Sequence, residues 1–275
     1  MRFFIIFCLL ATLLVPTAAC SRTELIEAVS KHYASQHPGL DSYRVDLKTN
    51  KLDEMLARMT GNMPKDIPRP EAPDLMKFWN RKSGIYIRSK TVTAFPYMEQ
   101  MINRFSQRFA IELGSLFLPI DKTEIRQALL KKASVKSAEA QIADSTIYHF
   151  DIEFDEPTDL DGAFYGADLD LPQREIEKLA LDIDPDQLIL IHIDIAAREQ
   201  SPLSVEIRHL DAEGNMLPQE VSITSPDGSI DEQLTTEFTK VENYYLPSKQ
   251  ARNIHRPGLD EQLVVEFYNY VLNPE

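Results

Sequence analysis

Cysteine is almost missing from this sequence of 275 residues, which holds two, Cys8 and Cys20. Glycine is scarce as well, with 9 residues. None of the glycine-bearing motifs G-x-G-x-x-G, G-x-x-x-x-G-K-[ST] or G-x-S-x-G occurs, and neither H-E-x-x-H nor C-x-x-C is present. These absences remove the common phosphate cradles, the serine nucleophile elbow, the zinc protease helix and the redox dithiol, and no motif asks for a cofactor. Basic residues are in the minority, 29 against 43 acidic, for a net charge of −14. Such a surface repels a phosphate backbone, so no nucleic acid partner is expected. Beyond residue 20 no apolar run approaches the length of about 18 residues that a spanning helix needs. What remains, 43% hydrophobic and 26% charged, is the composition of a folded globular chain.

The first segment, MRFFIIFCLLATLLVPTAAC, has Arg2 before an apolar run from Phe3 to Val15, then small residues Ala18 and Ala19. That run is too short to anchor a chain and is read as a signal peptide over 1–19. The Cys that follows resembles the acylated Cys of bacterial lipoproteins, which makes Cys20 the expected lipidation site and membrane anchor. Thr17 stands where those proteins usually have Leu, and ordinary cleavage after an Ala is the alternative. With Cys8 gone, no disulfide can form within the chain, and the fold depends on its core. Several acyl chains on one Cys would hold a membrane firmly, at about 0.8 kcal/mol per buried CH₂. Ser21 after Cys20 is not the Asp associated with inner-membrane retention in such lipoproteins.

Residues 20–275 are expected to form a single domain. Leu25, Ile26, Val29 and Tyr33 recur at helical spacing until Pro38-Gly39, and Tyr43 to Thr49 alternates as a half-buried strand. A short helical patch at 55–59 precedes a Pro-rich loop, 63–73. A hairpin is expected over 76–93 with Ser83-Gly84 as its turn. An amphipathic helix follows over 98–116, and another over 123–132. From Val135 the pattern is strand-like, at 135–142, 146–154, 188–196, 203–210, 220–225, 234–241 and 262–271, broken by a helical stretch from Pro172 to Ala180. Turn chemistry at Glu213-Gly214 and Asp227-Gly228 marks hairpins. The order implies an α+β fold, a curved antiparallel sheet (half-barrel) covered by amphipathic helices.

Chemistry-bearing residues are few. His149, Asp151, Glu153 and Asp155 share one strand face, and His192 with Asp194 share another. Were the two strands neighbours, His149, Asp151, His192 and Asp194 could bind a transition metal and support a metal-dependent hydrolase; a polar face turned to water is the simpler reading. The acidic stretches 155–170 and 182–186 miss the calcium-loop spacing and read as solvated loops.

Residues FTKVENYYLPSKQ (238–250), VVEFYNYVLN (264–273), LPQEVSI (217–223) and the run from Asp184 to Ile195 resemble, in order and texture, the outer-membrane lipoprotein-sorting carrier superfamily, the LolA-like half-barrels. The resemblance implies a hydrophobic cavity between half-barrel and helices, a lipid or lipoprotein acyl chain as partner, and a place on the periplasmic side of a bacterial cell envelope. Met98, Met101, Ile102, Phe105 and Phe109 of the 98–116 helix are the expected cavity lining. The expected role is carrier, receptor or sensor rather than enzyme, with an envelope protein interaction module as the alternative.

Overall fold

The computed structural model describes residues 22–62, 64, 66, 72–90, 116–142, 145–166 and 169–274. The chain begins with α1 (Arg22–Ser35), then β1 (Ser42–Thr49) and α2 (Asn50–Thr60). The hairpin of β2 (Leu75–Asn80) and β3 (Gly84–Ser89) comes next. A single 3-10 turn (Ile120–Lys122) leads into α3 (Thr123–Lys132). Nine strands complete the chain: β4 (Ala133–Ile142), β5 (Ser145–Thr158), β6 (Ile176–Asp184), β7 (Ile189–Ala197), β8 (Leu203–Ala212), β9 (Asn215–Thr224), β10 (Asp231–Val241), β11 (Tyr244–Arg256) and β12 (Leu259–Leu272).

The twelve described strands form one sheet in the order β3-β2-β1-β12-β11-β10-β9-β8-β7-β6-β5-β4. Each strand pairs antiparallel with its successor except β3, which does not pair with β4, and one pairing joins strands far apart in the chain. There β1 returns to lie beside β12, with Leu47 opposite Phe267 and Thr49 opposite Val265. Among the described residues the sheet is open, with β3 and β4 as its edges, and the described helices cover only part of it.

The local signals explain most elements. Ile26, Val29 and Tyr33 of α1 are buried against β5 to β9, among them Phe150, Leu181, Ile193 and Val205. Leu52 and Leu56 of α2, one turn apart, pack on Tyr43, Val45, Leu47, Trp79 and Phe267 in a second core. Thr49 caps α2, its hydroxyl accepting the Lys51 N–H at 3.3 Å. Arg81 donates to the carbonyls of Ala34, His37 and Leu40, occupying acceptors left over where α1 ends. The β8–β9 turn places Glu213 and Gly214 both at positive φ, the geometry of a two-residue hairpin turn.

Two expectations need correction. Residues 172–180 are not helical, since β6 begins at Ile176. A bulge there sets Ile176 opposite Ala197 but Lys178 opposite Ala196, so buried Ile176 and Leu179 stand three apart and imitate a helical repeat. The second strand overlooked is β11, which contains Pro247. A bulge sets Glu237 opposite Lys249 but Phe238 opposite Pro247, and a residue without an N–H is tolerated at such a break in the ladder. Residues 98–115 of the expected amphipathic helix lie outside the described residues, as does most of the loop 63–73. Leu116, Phe117 and Leu118 are buried, and Phe117 bridges to Tyr165.

Candidate functional site

A cavity of about 700 Å³ opens where the end of α1, the β2–β3 turn, residues 119–122 and the segment 159–176 meet. Its apolar wall comes from Tyr33, Trp79, Leu160, Tyr165, Leu171 and Ile176. Its polar rim mixes signs, with Arg81, Lys82, Lys122 and Arg174 beside Asp121, Asp159, Asp161 and Asp170. The site is thus amphipathic rather than purely apolar. Burial pushes the Tyr165 phenol up to about 12 and lowers His37, so both are neutral near pH 7.

The walls are tied in place by buried charges. Arg126 of α3 is fully buried and donates to Glu27 and Ser30 of α1 and to the carbonyls of Pro119 and Ala163. Opposite, Arg252 donates to the Leu169 carbonyl at 2.5 Å and to Glu232 at 2.8 Å. Arg256 holds both the carbonyl and the carboxylate of Asp170 at 2.9 Å. These contacts fasten Leu169 and Asp170 to β10 and β11. Tyr33 docks α1 on β7, where a bulge sets Asp182 opposite His192 but Ile183 opposite Leu190. The Leu190 N–H beside that bulge donates to the Tyr33 hydroxyl at 2.9 Å, and the hydroxyl lies 2.9 Å from His209 Nε2.

The residues singled out for metal binding stand elsewhere, on the solvent face of the sheet. His149 and His192 are not on neighbouring strands; β6 separates them and puts Asp182 opposite both. His149 Nδ1 is 2.6 Å from Asp182 Oδ1, and His192 Nδ1 is 3.3 Å from Asp182 Oδ2. Each Nε2 then meets a carboxylate of its own strand at 3.3 Å, Asp151 for His149 and Asp194 for His192. Among the described residues no group of three or more His, Cys, Asp or Glu could hold a metal ion. The four metal candidates are instead drawn into an ion-paired row around Asp182. Sequence reading sets Asp182 in a solvated acidic loop after a helix, and so does not place it on a strand between the two histidines. Burial works against the Asp182 charge, but hydrogen bonds from His192 and His149 outweigh it and hold the carboxyl below its ordinary range. The hydrogen bond to Asp182 raises His192, and for His149 burial lowers the ring but its own bond to the other Asp182 oxygen outweighs it and raises it.

The acidic stretches close local turns and ion pairs. Asp184 Oδ1 accepts the N–H groups of Asp186 and Gln187, and Asp159 accepts that of Asp161. Cys20 and the expected lining residues Met98, Met101, Ile102, Phe105 and Phe109 lie outside the described residues. Apart from Tyr33 and Ala34 of α1, the residues that line the cavity come largely from loops and strand ends, where no periodicity marks them.

No protein-family model matches the sequence, and no curated protein matches it. Solved structures similar to it include two. One is a LolA superfamily protein from Nitrosomonas europaea, 8% identical, covering 91% of this chain and 94% of that one with a TM-score of 0.29. The other is described as an outer membrane lipoprotein-sorting protein domain from Vibrio parahaemolyticus, also 8% identical, covering 90% of this chain and 92% of that one with a TM-score of 0.26.

Proposed function

We propose that this chain binds one lipid or lipoprotein acyl chain in the cavity between α1, the β2–β3 turn and the 159–176 segment, as a carrier, receptor or sensor of the bacterial cell envelope. The observation that supports it is the cavity itself. About 700 Å³ is the size of a site for a single small ligand. Aromatic and aliphatic side chains at its wall suit an acyl chain, and the charged rim suits a polar head. The Arg126, Arg252 and Arg256 networks hold the wall before any ligand arrives, which lowers the ordering cost of binding. Met98, Met101, Ile102, Phe105 and Phe109 are proposed as the lid over this wall, and acylated Cys20 as the membrane anchor.

The test is native mass spectrometry of the mature protein purified from membranes, followed by organic extraction and identification of what is released. Co-purifying lipid that is lost in a folded Leu171→Asp variant supports the reading. A clean unliganded mass, with no uptake of added phospholipid or fatty acid, overturns it and leaves an envelope protein interaction module.

A further inference from the structure

The solvent face of the sheet carries a second arrangement, independent of the cavity. Asp182 on β6, His192 on β7 and Ser204 on β8 occupy three adjacent strands. Ser204 Oγ lies 2.7 Å from His192 Nε2, and His192 Nδ1 lies 3.3 Å from Asp182 Oδ2. His192 Nε2 also lies 3.3 Å from Asp194 Oδ1, so the ring is a base only after it has lost its Nε2 proton; the neutral ring with Nδ1–H toward Asp182 then accepts the Ser204 hydroxyl. Nucleophile, base and orienting carboxylate therefore stand in working order, recognised by geometry and role rather than by motif. Ser204 also lines a groove of about 510 Å³, together with Asp151, Ala180, Asp194, Pro202 and Pro226.

We propose that Ser204, activated by His192 and positioned through Asp182, is an acyl-acceptor site for uncharged, activated acyl esters that enter this groove. Ser204 Oγ attacks the ester carbonyl carbon while its proton passes to His192 Nε2. The bond from that carbon to the leaving oxygen then breaks, and the leaving group takes the proton from His192. In the second half a water oxygen attacks the acyl carbon, giving its proton to Nε2, and Ser204 leaves reprotonated. Asp151, Glu153 and Asp194 line the groove together with Lys136 and Lys178, and this slight acidic excess mildly disfavours acyl groups bearing a carboxylate.

Magnitudes limit the reaction. General-base assistance contributes about 10²- to 10⁴-fold, and an oxyanion-hole donor roughly a further 10²- to 10³-fold. At Ser204 the strand is paired on both sides, to Asp194 and to Thr224, so the ladder leaves little for an oxyanion. The substrate must therefore bring a good leaving group, as an aryl ester or thioester does. Deacylation, which has the poor leaving group, is the slower half.

The experiment treats the mature protein with p-nitrophenyl acetate, follows nitrophenolate release and maps acetyl groups by peptide mass spectrometry. Expected are a burst near one equivalent, acetyl on Ser204, and a drop of about 100-fold in its acetylation rate in His192→Gln. The wild-type pH profile gives a test that needs no substitution. The rate should rise with pH through the titration of His192, which faces Asp182 on β6, Asp194 on its own strand and Glu206 and Ser204 on β8, with His149 beyond Asp182; these carboxylates place that titration above 6.5. Asp182→Asn should move the rate profile downward in step with the titration of the His192 ring itself, whereas a rate that does not depend on His192 would keep its profile while the ring shifts. Acetyl found on lysines alone, or Ser204 acetylation unchanged in His192→Gln, overturns the proposal.

Discussion

Arg126 and Glu27, 99 residues apart in the chain, meet as a fork: Nε lies 2.9 Å from Oε1 and Nη2 lies 2.8 Å from Oε2, with the guanidinium fully buried. The same group also serves Ser30, Pro119 and Ala163, so α1, α3 and two loop segments share one cation. Arg126→Met should cost about 3–5 kcal/mol, because it strands a carboxylate and two carbonyls in the interior. Urea unfolding of Arg126→Met against wild type checks this. The more conservative Glu27→Gln should cost less, since it retains an acceptor oxygen.

Tyr33 is the second link between α1 and the sheet. Tyr33→Phe leaves the Leu190 N–H and His209 Nε2 without their partner, at a cost of about 1–3 kcal/mol. Loss of midpoint denaturant concentration without a change in slope is the expected result, because the fold itself should persist.

Burial pushes His209 down to about 4 from an ordinary value of 6.5. The unfolded chain therefore binds more protons than the folded one between those two values, and stability falls as pH drops through that window. A thermal midpoint that declines from pH 6.5 toward 4 in wild type, and declines less in His209→Gln, is expected. Carboxylates held low by ion pairs add a slope of the same sign at more acid pH, so the comparison with the variant is what isolates His209.

The row around Asp182 has the opposite sign. His149 and His192 are both raised above 6.5, so their contribution is complete below that value and is lost as pH rises through the folded values. Both rings are partly exposed, which makes the effect modest. Proton NMR should show both rings titrating above 6.5 in wild type and moving downward in Asp182→Asn.

Arg252 joins buried Glu232 to the Leu169 carbonyl. Arg252→Met should release the cavity wall, raising amide hydrogen exchange across 159–171 more than in β7, and should weaken lipid uptake. Exchange that rises uniformly would mean global destabilisation instead.

Much of this protein was legible locally. The spacing of Ile26, Val29 and Tyr33, the alternation from Tyr43 to Thr49 and the turn at Glu213-Gly214 each depend on residues within a few positions of one another, so periodicity and turn chemistry sufficed. The strands that carry bulges were different. At Ile176 and Pro247 an extra residue shifts the period, and only pairing with β7 and β10 reveals that the chain is still a strand. The same holds for the polar row, where His149 and His192 were visible but Asp182 between them was not, because which strands are neighbours is decided by long-range ladders. Residue types, charge and the amphipathic faces were thus determined by the sequence alone. The tertiary structure decided the partners of Arg126, the walls of the cavity and the meeting of Ser204, His192 and Asp182, since each joins segments whose proximity exists only once the sheet has closed its register.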